Sequence, residues 1–189
     1  MQIRIANISD AEIISSLMIT TFDENFGHLF EDRQILLDYF DMFFSVEKIK
    51  DGLQKDNNVF WLAFVNEKPV GYAKLKLHSP SDFVDAKKVS QLQKIYVLKE
   101  FLSMKIGHQL QDVLLQRAAK HGSEQIWLSV FVENERAVNF YLPNDFVEVG
   151  KHEFQIGIYN FERVKAHYTT EHMLTVFLDS FKNDSKAIN

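Results

Sequence analysis

The sequence contains no cysteine and no long apolar segment. Without cysteine there can be no disulfide, no thiolate metal site and no cysteine nucleophile, and the composition suits a reducing compartment. The apolar run from Phe60 to Val65 is far too short to cross a bilayer. Residues 1–5 lack the apolar core of a signal peptide. We therefore expect a cytoplasmic protein that does not engage a membrane.

Positive charge is also scarce. The chain has 21 Lys and Arg against 26 Asp and Glu, which gives a formal net charge of -5 and disfavours nucleic acid as a partner. Its seven histidines show no paired spacing on a helix face, so we expect no metal. A length of 189 residues suits one domain, predicted over residues 1–182, with a flexible polar tail at 183–189. The 17 phenylalanines indicate an aromatic-rich core or pocket.

Hydrophobic periodicity predicts a chain that begins and ends with strands and carries helices between them. Ser9 is interpreted as the N-cap of the first helix, with Glu12 completing a capping box. The predicted strands cover residues 2–6, 59–65, 70–77, 89–97, 125–131, 146–157 and 172–178, and the predicted helices cover 9–22, 32–43, 45–52, 106–121 and 135–141.

The order of these elements predicts the type of sheet. The two strands around residues 66–69 form an antiparallel hairpin, and residues 89–131 form a strand-helix-strand unit with a parallel crossover. A mixed sheet with helices on both faces follows. Residues 159–169 are then an unusually long connection. Three interpretations of this segment stay open: a helix, a loop over the active site and a homodimer contact.

Two segments resemble a known family. Residues 92–97 (Leu-Gln-Lys-Ile-Tyr-Val) precede residues 104–110 (Met-Lys-Ile-Gly-His-Gln-Leu), and residues 134–146 read Asn-x-x-Ala-x-x-Phe-Tyr-x-x-x-Asp-Phe. Both are similar to the motifs of GNAT-superfamily N-acetyltransferases, most clearly from residue 92 to 157. Residues 21–26, 126–131 and 152–157 are closest to bacterial spermidine/spermine N-acetyltransferases.

The first motif departs from the family pattern of Gln/Arg-x-x-Gly-x-Gly/Ala. Leu102 replaces the usual Gln or Arg, Lys105 replaces the first Gly, and Gly107 matches the second. Glycine there lets backbone N–H groups approach a phosphate at a helix start. Lys105 adds a β-carbon and a positive charge that can pair with a phosphate. In the second motif only the Gly before Phe146 is changed, to Asp145.

The resemblance implies an α/β (α+β) fold with a mostly antiparallel, six- to seven-stranded sheet. It also implies acetyl-CoA as co-substrate and direct transfer of the acetyl group to a primary amine. Tyr141 would protonate the leaving sulfur, since a phenol with a pKa of about 10 is neutral at pH 7; a structural tyrosine is the alternative. The implied cofactor-binding residues are Ile95, Val97, Ser103, Met104, Lys105, Ile106, Gly107, His108, Asn134 and Tyr141.

The acceptor side is less defined. By resemblance the first two helices wall this pocket, so Phe22, Glu24, Phe26 and Tyr39 are candidates for binding the acceptor, which is a polyamine, another small amine or a peptide amine. Acidic residues at 23, 24, 31 and 32 favour a cationic acceptor. Many relatives place a glutamate base near residues 92–94, where this chain has glutamine and lysine. Glu24, Asp23 and His152 are the alternative bases.

The altered phosphate loop and the missing glutamate support a rival hypothesis. A GNAT-fold protein that binds acyl-CoA with weak or no catalysis would show the same departures. A purely structural partner protein is a third class, but it leaves the motif from Asn134 to Phe146 without a purpose.

Overall fold

The computed structural model describes residues 1–141 and 145–169. None of the helices in those ranges is long and apolar enough to cross a membrane. The predicted strand at 172–178 and the predicted tail at 183–189 lie outside the described residues. The strands are β1 (Gln2–Ile5), β2 (Asn58–Val65), β3 (Lys68–Lys76), β4 (Val89–Val97), β5 (Gln125–Phe131), β6 (Val147–Ile156) and β7 (Tyr159–Thr169), and the helices are α1 (Ala11–Phe26), α2 (Arg33–Phe43), α3 (Val46–Leu53), α4 (Ile106–Lys120) and α5 (Glu135–Tyr141).

The strands form one sheet of seven in the order β1-β2-β3-β4-β5-β7-β6. Among the described strands, β4 and β5 are parallel and every other neighbouring pair is antiparallel. The hairpin of β2 and β3 turns at Asn66 and Glu67, whose φ values of 48° and 66° are those of a type I′ turn. The predicted mixed, mostly antiparallel sheet is therefore confirmed.

Each face of the sheet is covered by helices and has its own core. The α4 face packs α4 and α5 against strand residues such as Leu75, Ile126 and Leu128. The α1 face packs α1, α2 and α3 against the sheet, and its core is rich in phenylalanine and tyrosine. Phe22 lies at the centre of this aromatic core, within 6.4 Å of five other rings, centroid to centroid. The predicted aromatic core is confirmed, and it lies on one face of the sheet.

Residues 159–169 are a strand, so the prediction of a connecting helix or loop is wrong. They form β7, which lies between β5 and β6 and pairs antiparallel with both. Phe161 packs on the α1 face, whereas Ala166 and Tyr168 pack on the α4 face. The two halves of the strand are covered from opposite sides. The buried apolar residues therefore shift from an odd position in the first half to even positions in the second. That change hides the simple alternation by which a half-buried strand is recognised.

The start of α1 also differs from the prediction. Asn7, not Ser9, is the cap: its side chain accepts a hydrogen bond from the Ser9 amide, and its own amide donates to Asp10 Oδ2 at 2.8 Å. A 3₁₀ turn over Ile8–Asp10 then leads into α1, which ends at Phe26 rather than Phe22. Asp10 is buried and also receives two hydrogen bonds from Arg4, at 2.7 and 2.8 Å. One carboxylate thus joins β1 to the start of α1.

We expect Asp10→Asn to lower the free energy of unfolding by about 2 kcal/mol, because it leaves buried donors poorly paired. Hydrogen bonding to Arg4, opposed in part by burial, lowers the pKa of Asp10 below its ordinary 3.8. A lowered folded pKa stabilises the protein above pH 3.8 and loses that contribution as the pH falls through the folded value. Urea unfolding at pH 7 and pH 3 measures both effects.

Asp23→Asn is the matched control. Asp23 pairs with Arg33 at 2.6 Å, but both side chains are about half exposed, so its loss should cost less than about 1 kcal/mol. Equal effects of the two substitutions would show that Asp10 does not hold β1 to α1.

Candidate active site between the splayed strands

The parallel pairing of β4 and β5 is short. It covers Val89 with Gln125, Ser90 with Ile126 and Gln91 with Trp127, and it stops there. Beyond these pairs the two strands separate, and a groove of about 240 Å³ opens between residues 92–97 and residues 128–131. Helices α4 and α5 wall this groove on one side of the sheet, and the end of α1 reaches it from the other. The groove therefore runs through the sheet and connects its two faces.

A β-bulge in β4 determines which face of the sheet each groove-lining side chain points to. Lys74 on β3 lies opposite Lys94, and the next residue, Leu75, lies opposite Leu92, so Gln93 has no partner on β3. A bulge shifts the alternation of side chains by one residue. As a result Leu92 and Ile95 both pack toward the α4 face, whereas Lys94 and Tyr96 point to the α1 face.

Helix α4 opens directly onto the groove. It starts after Lys105, whose φ of 56° and ψ of 23° are left-handed. Ile106 anchors the helix start in the core, and the first amide with a helical partner is that of Gln109, which donates to Lys105. The N–H groups of residues 106–108 precede it, so they are the unpaired donors of a helix start and lie at its positive end. This end of the groove is built to bind an anion.

Gly107 lies in this helix start and lines the groove. A β-carbon at position 107 would meet the Phe140 ring at 3.5 Å, which is an ordinary contact, and the residue has no left-handed φ. Glycine costs a helix about 1 kcal/mol relative to alanine. The fold therefore does not require a glycine here, and its effect is to leave the backbone open to a ligand in the groove.

The short helix α5 brings Tyr141 to the groove. Asn134 caps α5, since its side-chain oxygen accepts a hydrogen bond from the Ala137 amide at 3.1 Å. Tyr141 is 8% exposed, and burial, followed by the nearby Tyr96, raises its pKa above the ordinary 10. Its hydroxyl makes no hydrogen bond to another residue in the described ranges. The phenol is therefore a protonated donor with free capacity.

The α1-face end of the groove contains two half-buried cations, Lys94 and Arg163. The Lys94 ammonium lies 5.1 Å from the centre of the Phe44 ring. Burial, together with the positive charges of Lys74 and Arg163, lowers the pKa of Lys94 to about 8. The Arg163 guanidinium stacks on Phe154 at 3.9 Å from the ring centre. Both cations thus face aromatic rings.

A serine and a histidine meet at the same end. Ser129 lines the groove, and its hydroxyl lies 2.7 Å from His152 Nε2. The other ring nitrogen, Nδ1, lies 3.1 Å from the Glu153 carbonyl and is suited to donate to it, which leaves Nε2 as the acceptor. Burial and the charges of Lys165 and Arg163 lower the pKa of His152, so it is neutral at pH 7. Ser129 therefore connects a neutral base to the groove.

The charge of the groove is of one sign. Four cations line it, namely Lys94, Lys105, Arg136 and Arg163, and the described lining residues include no Asp or Glu. The chain as a whole is negative, with a net charge of -5. Across residues 1–141 and 145–169 no group of three or more metal-ligating side chains is found. The site is suited to bind anions.

The structure brings most of the predicted site residues to the groove. Ser103 and Met104 are exposed and do not line it, and the side chain of Ile106 is buried in the core, although its amide lies at the helix start. The predicted residues that line the groove are Phe26, Ile95, Val97, Lys105, Gly107, His108, Asn134 and Tyr141.

The predicted acceptor-side residues are placed differently from one another. Phe22 and Tyr39 lie in the aromatic core behind Phe26. The Glu24 carboxylate accepts a hydrogen bond from the Lys99 amide at 3.1 Å and does not line the groove. Of the three candidate bases, Asp23 pairs with Arg33 and Glu24 is bound to the backbone, whereas His152 is connected to the groove.

Sequence reasoning missed Ser129, Lys94, Arg136 and Arg163 as residues of the groove. Arg163 lies in the predicted connection at 159–169, and its strand is hidden because the apolar residues of β7 change from odd to even positions along the chain. Lys94 leaves no local signal either, because the bulge that turns it toward the α1 face depends on pairing with β3.

A splayed parallel pair, an open helix start and a buried tyrosine together form a groove that can hold an extended anionic ligand beside a proton donor. The chain belongs to the acetyltransferase (GNAT) family, whose model matches residues 13–146. An uncharacterized N-acetyltransferase of Lactobacillus delbrueckii subsp. lactis is 22% identical over 158 residues, 82% of this chain and 90% of the relative. One from Methanocaldococcus jannaschii is 30% identical over 96 residues, 51% and 42% of the two chains.

Solved structures show the same fold. The PaiA N-acetyltransferase of Thermoplasma acidophilum, solved in complex with coenzyme A, aligns with a TM-score of 0.69 at 19% identity, over 89% of this chain and 99% of that one. An aminoglycoside 6′-acetyltransferase type Ii aligns with a TM-score of 0.63 at 13% identity, over 90% and 97%. The predicted GNAT fold and acetyltransferase class are confirmed.

The left-handed backbone at Lys105 predicts a stability change. Lys105→Gly should raise the free energy of unfolding by about 1 kcal/mol, since a left-handed backbone costs a residue with a β-carbon about 1–2 kcal/mol. Lys105→Ala is the control, because it removes the same charge but keeps the β-carbon, and it should give no such gain. Urea unfolding measures both. A gain of similar size in both variants would assign the effect to charge rather than to backbone conformation.

Proposed function

We propose that the chain is an acetyl-CoA-dependent N-acetyltransferase that moves the acetyl group to a primary amine by direct attack on the thioester. The observation that supports this most is the groove through the sheet, with an open helix start on one side and Tyr141 beside it. An extended thioester can enter from the α4 face, and an amine can meet it from the α1 face. No covalent enzyme intermediate is needed, because holding both reactants in place removes much of the barrier.

The cofactor has a complementary surface in the first half of the groove. The backbone of Ile95 and Val97, freed by the separation from β5, would pair with the pantetheine arm as an added strand does. The N–H groups at the start of α4 would bind the pyrophosphate. Lys105 and Arg136 would add positive charge beside the phosphates. The Thermoplasma relative was solved in complex with coenzyme A, which supports the choice of cofactor.

The reaction then needs little from the protein. The amine nitrogen attacks the thioester carbonyl carbon, the new C–N bond forms, and the C–S bond breaks as the tetrahedral intermediate collapses. The nitrogen loses a proton, and the sulfur leaves as a thiolate that accepts a hydrogen bond or a proton from Tyr141. Burial keeps the Tyr141 phenol protonated well above pH 7, so it can serve as this donor throughout the neutral range.

The test combines calorimetry with acetyl-CoA and thiol release over a panel of amines. We expect the wild type to bind acetyl-CoA and to release thiol with at least one amine. Tyr141→Phe should lower kcat by about 10²-fold with little change in cofactor affinity, because only the donor to sulfur is lost. Tyr168→Phe is the matched control, since Tyr168 lies in the same core beside Phe146 but does not line the groove.

The rival function predicts a different result. Leu102 and Lys105 alter the phosphate loop, and a protein that binds acyl-CoA without turnover would give heat on titration but no thiol with any amine. Absence of acetyl-CoA binding would contradict both functions. Equal losses of kcat in Tyr141→Phe and Tyr168→Phe would contradict the role of Tyr141 alone.

We further infer that His152, acting through Ser129, accepts the proton from the amine. The described lining residues include no carboxylate, and the Ser129 hydroxyl touches both the groove and His152 Nε2. A serine can pass a proton on, since its hydroxyl is both donor and acceptor. The lowered pKa keeps His152 in its basic form at neutral pH.

This relay predicts non-additive losses. Ser129→Ala and His152→Gln should each lower kcat/KM by about 10- to 100-fold, and the double variant should lose little more, because both residues lie on one path. His167→Gln is the control, since its ring bonds Gln125 away from the groove and the variant should keep full activity. Steady-state kinetics at pH 7.5 measures all four. Fully multiplicative losses would refute a shared path.

The acceptor itself is proposed only by class. The resemblance to spermidine/spermine N-acetyltransferases makes a polyamine one candidate, and another small amine and a peptide amine are the other two. Every one of these classes belongs in the panel.

A further inference from the structure

At the α1-face end of the groove, the described residues include the cations Lys94 and Arg163 but no carboxylate that pairs with them. Across the described residues neither Lys94 nor Arg163 forms an ion pair. The Nε atom of Arg163 is buried and has no hydrogen-bond partner. Buried donors are nearly always satisfied, and buried charges are nearly always paired. Because Arg163 also lines the groove, a ligand that enters the groove can supply the acceptor that the rest of this guanidinium lacks.

Strand geometry places these charges on the acceptor side of the sheet. The bulge at Gln93 turns Lys94 toward the α1 face, and Arg163 lies on β7 directly opposite Phe131 of β5. The helix start that suits the cofactor phosphates, at residues 105–108, lies on the α4 face. The two cations therefore belong to the part of the groove that an acceptor amine would fill.

The acidic residues that favoured a cationic acceptor do not reach this place. Asp23 is paired with Arg33, and Asp32 caps α2 by accepting a hydrogen bond from the Gln34 amide. Glu24 is bound to the Lys99 amide, and Glu31 is exposed. A polyamine would bring two or three positive charges next to Lys94 and Arg163, and the described lining residues include no carboxylate to offset them. Electrostatics therefore disfavours a polyamine at this end.

We propose that the acceptor is an amine that also carries a carboxylate, of the amino-acid type, and that Arg163 and Lys94 bind this carboxylate. The proposal rests on the acetyltransferase function proposed above. A guanidinium binds a carboxylate through two parallel hydrogen bonds, and Lys94 adds a point charge. The carboxylate stays unchanged in the reaction: the amine forms the C–N bond to the acetyl group, the C–S bond breaks, and coenzyme A leaves.

The experiment measures kcat/KM for matched acceptor pairs with and without the carboxylate. Suitable pairs are 6-aminohexanoate with hexylamine, β-alanine with its amide, and leucine with leucinamide, with spermidine as a polycation. A hydrogen-bonded charge contributes about 1.5–3 kcal/mol, so the wild type should prefer the carboxylate member of at least one pair by about 10- to 100-fold. Hexylamine controls for amine basicity, because its pKa is close to that of 6-aminohexanoate.

Variants assign the preference to residues. Arg163→Gln and Lys94→Gln should each reduce the preference at least several-fold, because kcat/KM should fall more for the carboxylate member of a pair than for the uncharged member. Lys165→Gln is the matched control, because it removes the same charge from the same strand but lies over Phe83 and Trp127 outside the groove. It should leave the preference unchanged.

The outcomes separate this proposal from the function on which it rests. Higher kcat/KM for hexylamine or spermidine than for every carboxylate acceptor would overturn it and leave the acetyltransferase function standing. Equal losses on both members of a pair in Arg163→Gln and Lys94→Gln would also overturn it, because the cations would then act on the thioester or the fold. Absence of turnover with every amine would overturn the acetyltransferase function itself. The wild-type comparison needs no variant, so a poorly folded Arg163→Gln does not remove the test.

Discussion

The ligand groove of this protein exists because the hydrogen-bonded pairing of strands β4 and β5 ends after a few residues. Strands β4 and β5 are parallel neighbours for three residue pairs, after which no hydrogen bonds join them. Their separation leaves the backbone of residues 92–97 with unpaired donors and acceptors, and unpaired backbone groups require a partner. The groove, the access from both faces and the open start of α4 all follow from that separation. A continuous sheet would close this passage between the two faces.

The bulge at Gln93 gives the two faces different chemistry. Without it, Lys94 would point in the same direction as Leu92, into the apolar α4-face core, where a cation would be costly to bury. With it, the apolar residues Leu92, Ile95 and Val97 all face α4, and Lys94 faces the aromatic residues around Phe44. One extra residue in one strand therefore produces an apolar, helix-walled half and a cationic, aromatic half of the same groove.

The altered phosphate loop is consistent with the geometry of its backbone. Lys105 occupies a left-handed position, which explains why glycine is the residue expected there in the family. The lysine retains that conformation at some cost and places its ammonium group at the groove. Gly107, the second residue of α4, keeps the backbone open to the groove, where a β-carbon would touch only Phe140. The departure at Lys105 therefore changes the charge and strain of the loop without closing the helix start.

Much of this could be predicted from local pattern. The residues of β4 and β5, the cap of α5 at Asn134 and the end of α4 near Gly122 were predicted where the structure has them, because periodicity and capping are local properties. The start of α1 was wrong by two residues, because Asn7 competes with Ser9 as a cap and the buried pair of Asp10 with Arg4 decides between them. Strand β7 was mistaken for a connection, since its apolar phase changes where its covering changes face.

The sequence by itself determined the order of elements, the mixed sheet and the motif residues Gly107, Asn134 and Tyr141, because each leaves a signal within a short window of the chain. Only the tertiary structure decided which charges meet in the groove. Lys94 and Arg163 are far apart in the chain and are brought together by a bulge and by strand order, and the acidic residues of α1 are directed elsewhere by partners such as Arg33 and the Lys99 amide. Long-range pairing of this kind has no local signature, because it depends on which strands become neighbours.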